Sequence, residues 1–370
     1  MTTEIRASAS PGEVRVALLR DGDLTDYALW RPGAPDGVAD EHRGRVLRHV
    51  KAMAGAFVAI AGAEGFLPDS EGAKGLTEGR YVTVRVTRAA QGGKGPRLSA
   101  RLPADAETGG DAVGLLRRGP DPVCRFAAAH PDAPVLVDDQ ALAATLRVAL
   151  GGRVRVVPDI LDETLATKIE ALGEPVADLP GGARMSVWPT PALTAIDVDA
   201  GGAVTGHGGR GSRHEGINRD ILPALAREIR LRNLSGAIVI DLAGLPIRRR
   251  AALGPALADA LSDDPLHPRF LGFTALGLAE VLRTRIHPPL HELLRGPHAA
   301  GLAALRAVTA NLGTDPRRMP VLRASDAVVN ALQADPVALA DLARRAGKPL
   351  ILRRDPGLKE GEWHMEAQHG

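Results

Sequence analysis

The chain has 370 residues, 45% of them hydrophobic, enough for two or three domains with their own cores. No apolar run reaches the ~20 residues of a membrane span, and the opening residues MTTEIRASASPGEV carry no apolar signal core, so a cytoplasmic protein without a membrane partner is expected. A single cysteine, Cys124, excludes an intrachain disulfide framework and any paired-cysteine zinc clamp within one chain, and reads as a small buried hydrophobe. The net charge of +2 is too small to imply nucleic acid by itself. Its distribution is uneven, with Arg210, Arg213, Arg227, Arg230, Arg232 and Arg248 to Arg250 crowding the middle third. Solvated helix faces would explain these arginines equally well.

In chain order, residues 14–19 and 24–30 flank Arg20-Asp21-Gly22-Asp23 and predict a hairpin. Residues 31–40 are rich in Pro and Gly and read as a linker. From 44 to 102 come short strands separated by glycines: GRVLRHV, GAFVAI, EGFLP, GRYVTVRVTR and GPRLSARL. With no helical stretch among them, they predict a small β-barrel. After a polar linker at 104–111 the pattern changes. Helices are expected at 121–129, 139–150 and 162–172, and strands at 133–137 and 154–157, an α/β alternation.

LTAIDV at 193–198 is a strand running into a glycine-rich loop at 201–211. Ile217, Ile221, Leu225 and Ile229 recur at helical spacing, with Pro223 expected to start or kink that helix. AIVIDL at 237–242 reads as a strand buried on both faces. A helix is expected at 248–261, a strand at 270–273 and a helix at 277–285, before Pro288-Pro289. The tail reads as a separate small unit with a helix at 335–346 and strands at 349–353 and 363–367.

Two acids stand out. Asp197 ends LTAID and Asp241 ends IVID, and sites in open α/β sheets form beyond the carboxyl ends of strands. An acid within an apolar strand is costly unless paired or liganded. If the two strands are neighbours, the carboxylates converge, and two carboxylates with water suit a magnesium ion. Such an ion can polarise a phosphoryl oxygen and activate water. Asp199, two residues on, faces the same way and is a further candidate ligand. Each acid could instead cap a following helix or turn.

In GAFVAI, alternation sends Ala56, Val58 and Ile60 to the barrel core and Phe57 to the outer face, with Phe66 close behind. Two of only five phenylalanines in so short a segment suit base stacking, and Lys94 and Arg97 could contact phosphates. Both rings would also suit the core of a tiny barrel. His287 and His291 bracket a Pro-Pro turn and read as surface or cap residues.

These stretches resemble the ribonuclease E/G family over nearly the whole chain. GRVLRHVKAMAGAFVAIAGAEGFLPDS and GGKGPRL look like its S1-type RNA-binding domain. TAIDVDAGG, REIRLRNLSGAIVIDL and FLGFTALGLAEVLRTRIHPPL are similar to its DNase I-like catalytic subdomain. LLRRGPDPVCRF through ALTAID is similar to its RNase H-like subdomain, and PVALADLARRAGKPLILRRDP to its small domain. The resemblance implies an RNase H-like subdomain (1–35 and 104–187) interrupted by an S1-type barrel (36–103). A DNase I-like subdomain (188–296) and a small α+β unit (297–370) then follow.

It also implies a magnesium-dependent endoribonuclease acting on single-stranded RNA, manganese being a substitute, with Asp197 and Asp241 as metal-binding aspartates. Phe57, Phe66 and Lys94 match RNA-contacting positions. There are departures. Asp199 stands where the family usually has Asn, and Ala275 where it often has Arg. No cysteine follows Leu294, so no zinc link is expected and any homodimer must form without one. Only the short 104–113 linker occupies the place of the family's 5′-monophosphate sensor. A shortened scaffold of this kind leaves two alternatives, a non-cleaving RNA-binding protein and a nuclease acting on DNA.

Overall fold

Apolar alternation on either side of Asp21-Gly22 produces the expected hairpin. In the computed structural model, which describes residues 2–102, 110–200, 210–314 and 319–366, strands Glu13–Arg20 and Asp23–Trp30 pair antiparallel. Asp21 and Gly22 both have positive φ, 50° and 86°, as the tightest hairpin turns require. The sheet has five strands, in the order Val154–Val156, Val135–Val137, Thr3–Ser10, Glu13–Arg20 and Asp23–Trp30. The two strands from later in the chain add parallel to Thr3–Ser10, Ile5 lying beside Val135. Helices Pro122–Ala129 and Gln140–Leu150 pack on this sheet around Ile5, Val16, Val135 and Leu146. Each is capped by the aspartate before it, Asp121 and Asp139, which accepts a backbone N–H of the first turn.

In sequence, between strand Asp23–Trp30 and helix Pro122–Ala129, the chain forms the barrel. Strands Glu41–Val50, Gly55–Ile60, Ala63–Pro68, Arg97–Ser99 and Tyr81–Arg88 close into a ring, the last pairing with the first. Val46, Ala56, Val58, Leu67, Val84 and Leu98 fill it. Strand Gly114–Arg117 adds to the outside of Glu41–Val50, so barrel pairing continues beyond residue 103.

The second sheet carries the two acids. Its order is Val176–Asp178, Arg184–Pro189, Thr194–Asp199, Gly236–Asp241, Ala279–Arg283 and Arg269–Phe273. It begins upstream of the 188 boundary drawn from the sequence. Helices Arg210–Leu231 and Gly254–Leu261 cover one face, where Ile196, Ile238 and Ile240 meet Ile221, Leu225, Ile229 and Leu257.

Three expectations change here. Residues 279–283 form a strand, not a helix, burying Ala279, Val281 and Arg283 and exposing Glu280 and Leu282. Pairing on both edges overrides the helical propensity of Ala-Glu-Val-Leu-Arg. Of the two roles expected for Pro223, starting a helix or kinking one, the first is excluded, since Arg210–Leu231 runs through it. The Gly236–Asp241 strand is buried on one face only, because Ala237 is exposed and Val239 half-buried.

Toward the C-terminus, helices Gly296–Thr314, Asp326–Gln333 and Pro336–Ala346 pack on a three-stranded sheet ordered Ile351–Arg354, Val321–Ala324, Trp363–Glu366. The chain divides into two compact units. One holds residues 1–37, 120–163 and 291–370, and the other 38–119 and 164–290. In the first, Glu13, only 2% exposed, accepts from Arg31 and Arg306 at 3.0 and 2.7 Å, joining the first sheet to the C-terminal helices.

Candidate active site and nucleic-acid interface

Alternation within TAIDVD sends Ile196 and Val198 to the core and leaves Ala195, Asp197 and Asp199 on the opposite face. GAIVID does the same, with Val239 and Asp241 opposite Ile238 and Ile240. The two strands are adjacent and parallel, and their register sets Asp197 directly beside Asp241. Aligned residues of a parallel pair point to one face, on strands ~4.8 Å apart. The carboxylates therefore stand side by side on the face opposite helices Arg210–Leu231 and Gly254–Leu261. Asp197 is exposed and the Asp241 side chain is 49% exposed, so neither bears the full desolvation cost expected of an acid in a strand buried on both faces.

Arg250, at the end of helix Ile247–Arg250, is fixed against this pair with its side chain only 11% exposed. Its Nη1 donates to Asp241 Oδ1 at 2.7 Å and to the Gly277 carbonyl at 2.8 Å, and its Nε to the Leu245 carbonyl at 2.9 Å. The arginine cluster after Asp241 thus splits, with Arg248 and Arg249 exposed and Arg250 holding the acid. Asp199 shares the face one step along the strand, opposite Arg184. Most of the glycine-rich loop, 201–209, lies outside the described residues.

Two hard carboxylates at one strand spacing, approachable by water, suit a magnesium or manganese ion that keeps several waters. Among the described residues no group of three or more His, Cys, Asp or Glu could hold a metal ion. Two carboxylates leave the other positions of such an ion open to water and substrate.

On the barrel, Phe57 and Phe66 lie opposite one another on neighbouring strands, half-buried on the outer face as alternation predicts for Phe57. Their rings meet edge-on, centroids 5.4 Å apart at 64°. Gly55 makes room for this pair, since a Cβ there would come within 2.5 Å of the Phe66 ring. Arg97 aligns with Phe66 and is exposed, and Lys94 is exposed in the turn closed by its bridge to Gln91.

Sequence reasoning missed Arg48. Its guanidinium lies over the Phe57 ring at 4.1 Å and pairs with Glu64 at 2.9 Å. Only the strand register, with its bulge between Val46 and Arg48, brings it there. Trp188 was also missed. It lies on the same sheet face as Asp197 and is 60% exposed. Of the remaining residues singled out, Cys124 packs half-buried against the first core, its thiol pushed up to about 12 by burial. His287 and His291, expected as surface or cap residues, are both half-buried, and burial lowers the pKa of His291.

Residues 149–286 match the family model of the Ribonuclease E/G family. The chain is 35% identical over 118 residues to ribonuclease G of Haemophilus influenzae, covering 32% of this chain and 24% of that protein. It is 33% identical over 138 residues to ribonuclease G of Escherichia coli K12, covering 37% and 27% respectively. It is 24% identical over 387 residues to ribonuclease E of Haemophilus influenzae, covering 76% and 41%. The chain thus matches well under half the length of each of these relatives. Among the described residues no helix is long and apolar enough to cross a membrane.

Proposed function

We infer from the match of residues 149–286 to the ribonuclease E/G family model, and from the ribonuclease G and E relatives, that this chain is an endoribonuclease of that family, cleaving single-stranded RNA with a divalent cation held by Asp197 and Asp241. The observation that carries this reading is the in-register pairing of the two acids on the open sheet face. When bound, magnesium, or manganese in its place, supplies a Lewis acid for a phosphoryl oxygen and activates water. Asp197 and Asp241 hold it, with Asp199 one strand step away on the same face, where it could reach the ion through a bound water. The acids are ligands, not general bases. Arg250 orients Asp241 through Oδ1.

The barrel is read as the S1-type RNA-binding domain. Phe57 and Phe66 take unpaired bases, with Arg48 available as a second stacking plane over Phe57. Lys94 and Arg97 neutralise phosphates. The five-stranded sheet, whose strands precede and follow the barrel in sequence, is read as RNase H-like, the six-stranded sheet as DNase I-like, and 297–370 as the small domain. The whole is read as a cytoplasmic RNA-processing or decay enzyme whose subunits would pair without zinc.

The test compares wild type with Asp241→Asn on an end-labelled single-stranded RNA across a magnesium titration. Magnesium-dependent cleavage that the substitution abolishes, with binding largely retained, is the expected outcome. Equal cleavage by both proteins removes Asp241 from the site. A wild type that binds RNA but never cuts it, in magnesium or manganese, would identify a non-cleaving RNA-binding protein. A DNA oligonucleotide of the same sequence checks the choice of substrate.

A further inference from the structure

Trp188 is one of three tryptophans in the chain, and its exposure of 60% contrasts with the half-buried Trp30 and Trp363. An exposed indole leaves a large apolar surface in water and invites a partner. Its place in the sheet narrows what that partner is. Trp188 lies opposite Ala195, and Asp197 is two residues further along the strand on the same face. That makes Trp188 a diagonal neighbour of Asp197, at a spacing of roughly 7–8 Å. The small Ala195 side chain does not enclose the indole. The next strand presents half-buried Val239, followed by Asp241.

We propose that Trp188 is the stacking platform for a nucleotide base beside the phosphodiester held at Asp197 and Asp241, an inference that rests on the endoribonuclease reading above. A base next to that phosphate lies within reach of the diagonal spacing, and every base has a face on which an indole can stack. The surroundings favour a nucleotide over a second copy of the chain. Along its own strand Trp188 is followed on this face by half-buried Ser186 and exposed Arg184, and across from them stand Asp197 and Asp199. A subunit packed dry over the indole would strip water from those two carboxylates. A nucleotide instead brings an aromatic ring for the tryptophan and a phosphate for the cation between the acids.

The experiment uses the full chain and an end-labelled, adenine- and uridine-rich single-stranded RNA with one main cut. Companion RNAs carry an abasic residue at each nucleotide flanking that cut. Trp188→Ala should raise KM on the intact RNA by about 5- to 100-fold, the range expected for loss of one stacked base. Trp188→Phe should restore most of it. Wild type should lose a similar factor on one of the abasic RNAs, and Trp188→Ala should lose nothing further on that RNA.

A second readout does not depend on cleavage. In an Asp241→Asn background, RNA should quench tryptophan fluorescence, and Trp188→Phe should remove most of the quenching. If Asp241→Asn is inactive but Trp188→Ala keeps the wild-type KM, the platform is wrong and the metal site stands. If Asp241→Asn cuts normally, the metal site is wrong and the fluorescence decides for or against Trp188. Quenching unchanged by Trp188→Phe overturns the proposal, as does a dimer in sedimentation that Trp188→Ala converts to monomers.

Discussion

Arg250 is the residue on which the acid pair most directly depends. Its guanidinium serves two backbone carbonyls, Leu245 and Gly277, as well as the carboxylate of Asp241. Arg250→Met would leave those acceptors without their donor, at a cost of about 1–3 kcal/mol if water does not replace it. It would also remove a positive charge beside the proposed cation site. The expected result is a lower unfolding midpoint in urea together with a several-fold lower magnesium concentration for half-maximal cleavage. The rate at saturating magnesium should fall, because Asp241 loses its tether. A magnesium titration superimposable on that of the wild type would mean that the ion pair does not persist in the working enzyme.

At the scale of single elements, strand Glu41–Val50 buries a histidine in the barrel wall. His42 is almost fully buried, and desolvation lowers its pKa below the ordinary 6.5, outweighing Asp40 at 3.9 Å. The folded state therefore holds the ring neutral while the unfolded chain protonates it near pH 6.5. Stability is complete above that pH and declines as pH falls toward the folded value, by at most about 1.4 kcal/mol per unit for one histidine. His291, also lowered by burial, adds to the same decline. Urea unfolding between pH 7.5 and 5 should show the loss, and His42→Asn should flatten it. An unchanged slope would remove His42 as a contributor.

Elements whose period matched their environment were legible in the sequence, as the hairpin around Asp21-Gly22 and the alternation of GAFVAI illustrate. The 279–283 strand was not, because its residues favour a helix and only two flanking strands make it extended. The same limit hid the key relation of the candidate site. Asp197 and Asp241 were visible as strand-end acids, but their adjacency lies in a register between segments more than forty residues apart. Arg48 over Phe57 and Trp188 beside Asp197 were hidden for the same reason.

At the scale of the molecule, the barrel and the six-stranded sheet fall in one compact unit. The Ala89 N–H donates to the Ile286 carbonyl at 2.8 Å, and Gln91 reaches the Ile286 and His287 carbonyls at 3.4 Å. Nucleic-acid affinity in a chain of net charge +2 must come from local cations rather than the overall field. Arg97 is exposed beside Phe66, and Lys94 is exposed in the turn three residues before Arg97, along the path that an RNA strand stacked on the Phe57–Phe66 pair as proposed would take. Each phosphate contact to single-stranded RNA contributes about 0.7 to the slope of log affinity against log salt. Replacing both residues by alanine should weaken binding and reduce that slope by about 1.4, measured by fluorescence anisotropy between 50 and 300 mM salt. Phe57→Ala should weaken binding with the slope unchanged, since stacking releases no counterions. Asp241→Asn should leave the slope close to that of the wild type. If the Lys94 and Arg97 double variant keeps the full slope, the phosphates run elsewhere on the barrel, and Arg43 and Arg45 on strand Glu41–Val50, with Arg85 on its neighbour Tyr81–Arg88, become the cations to replace next.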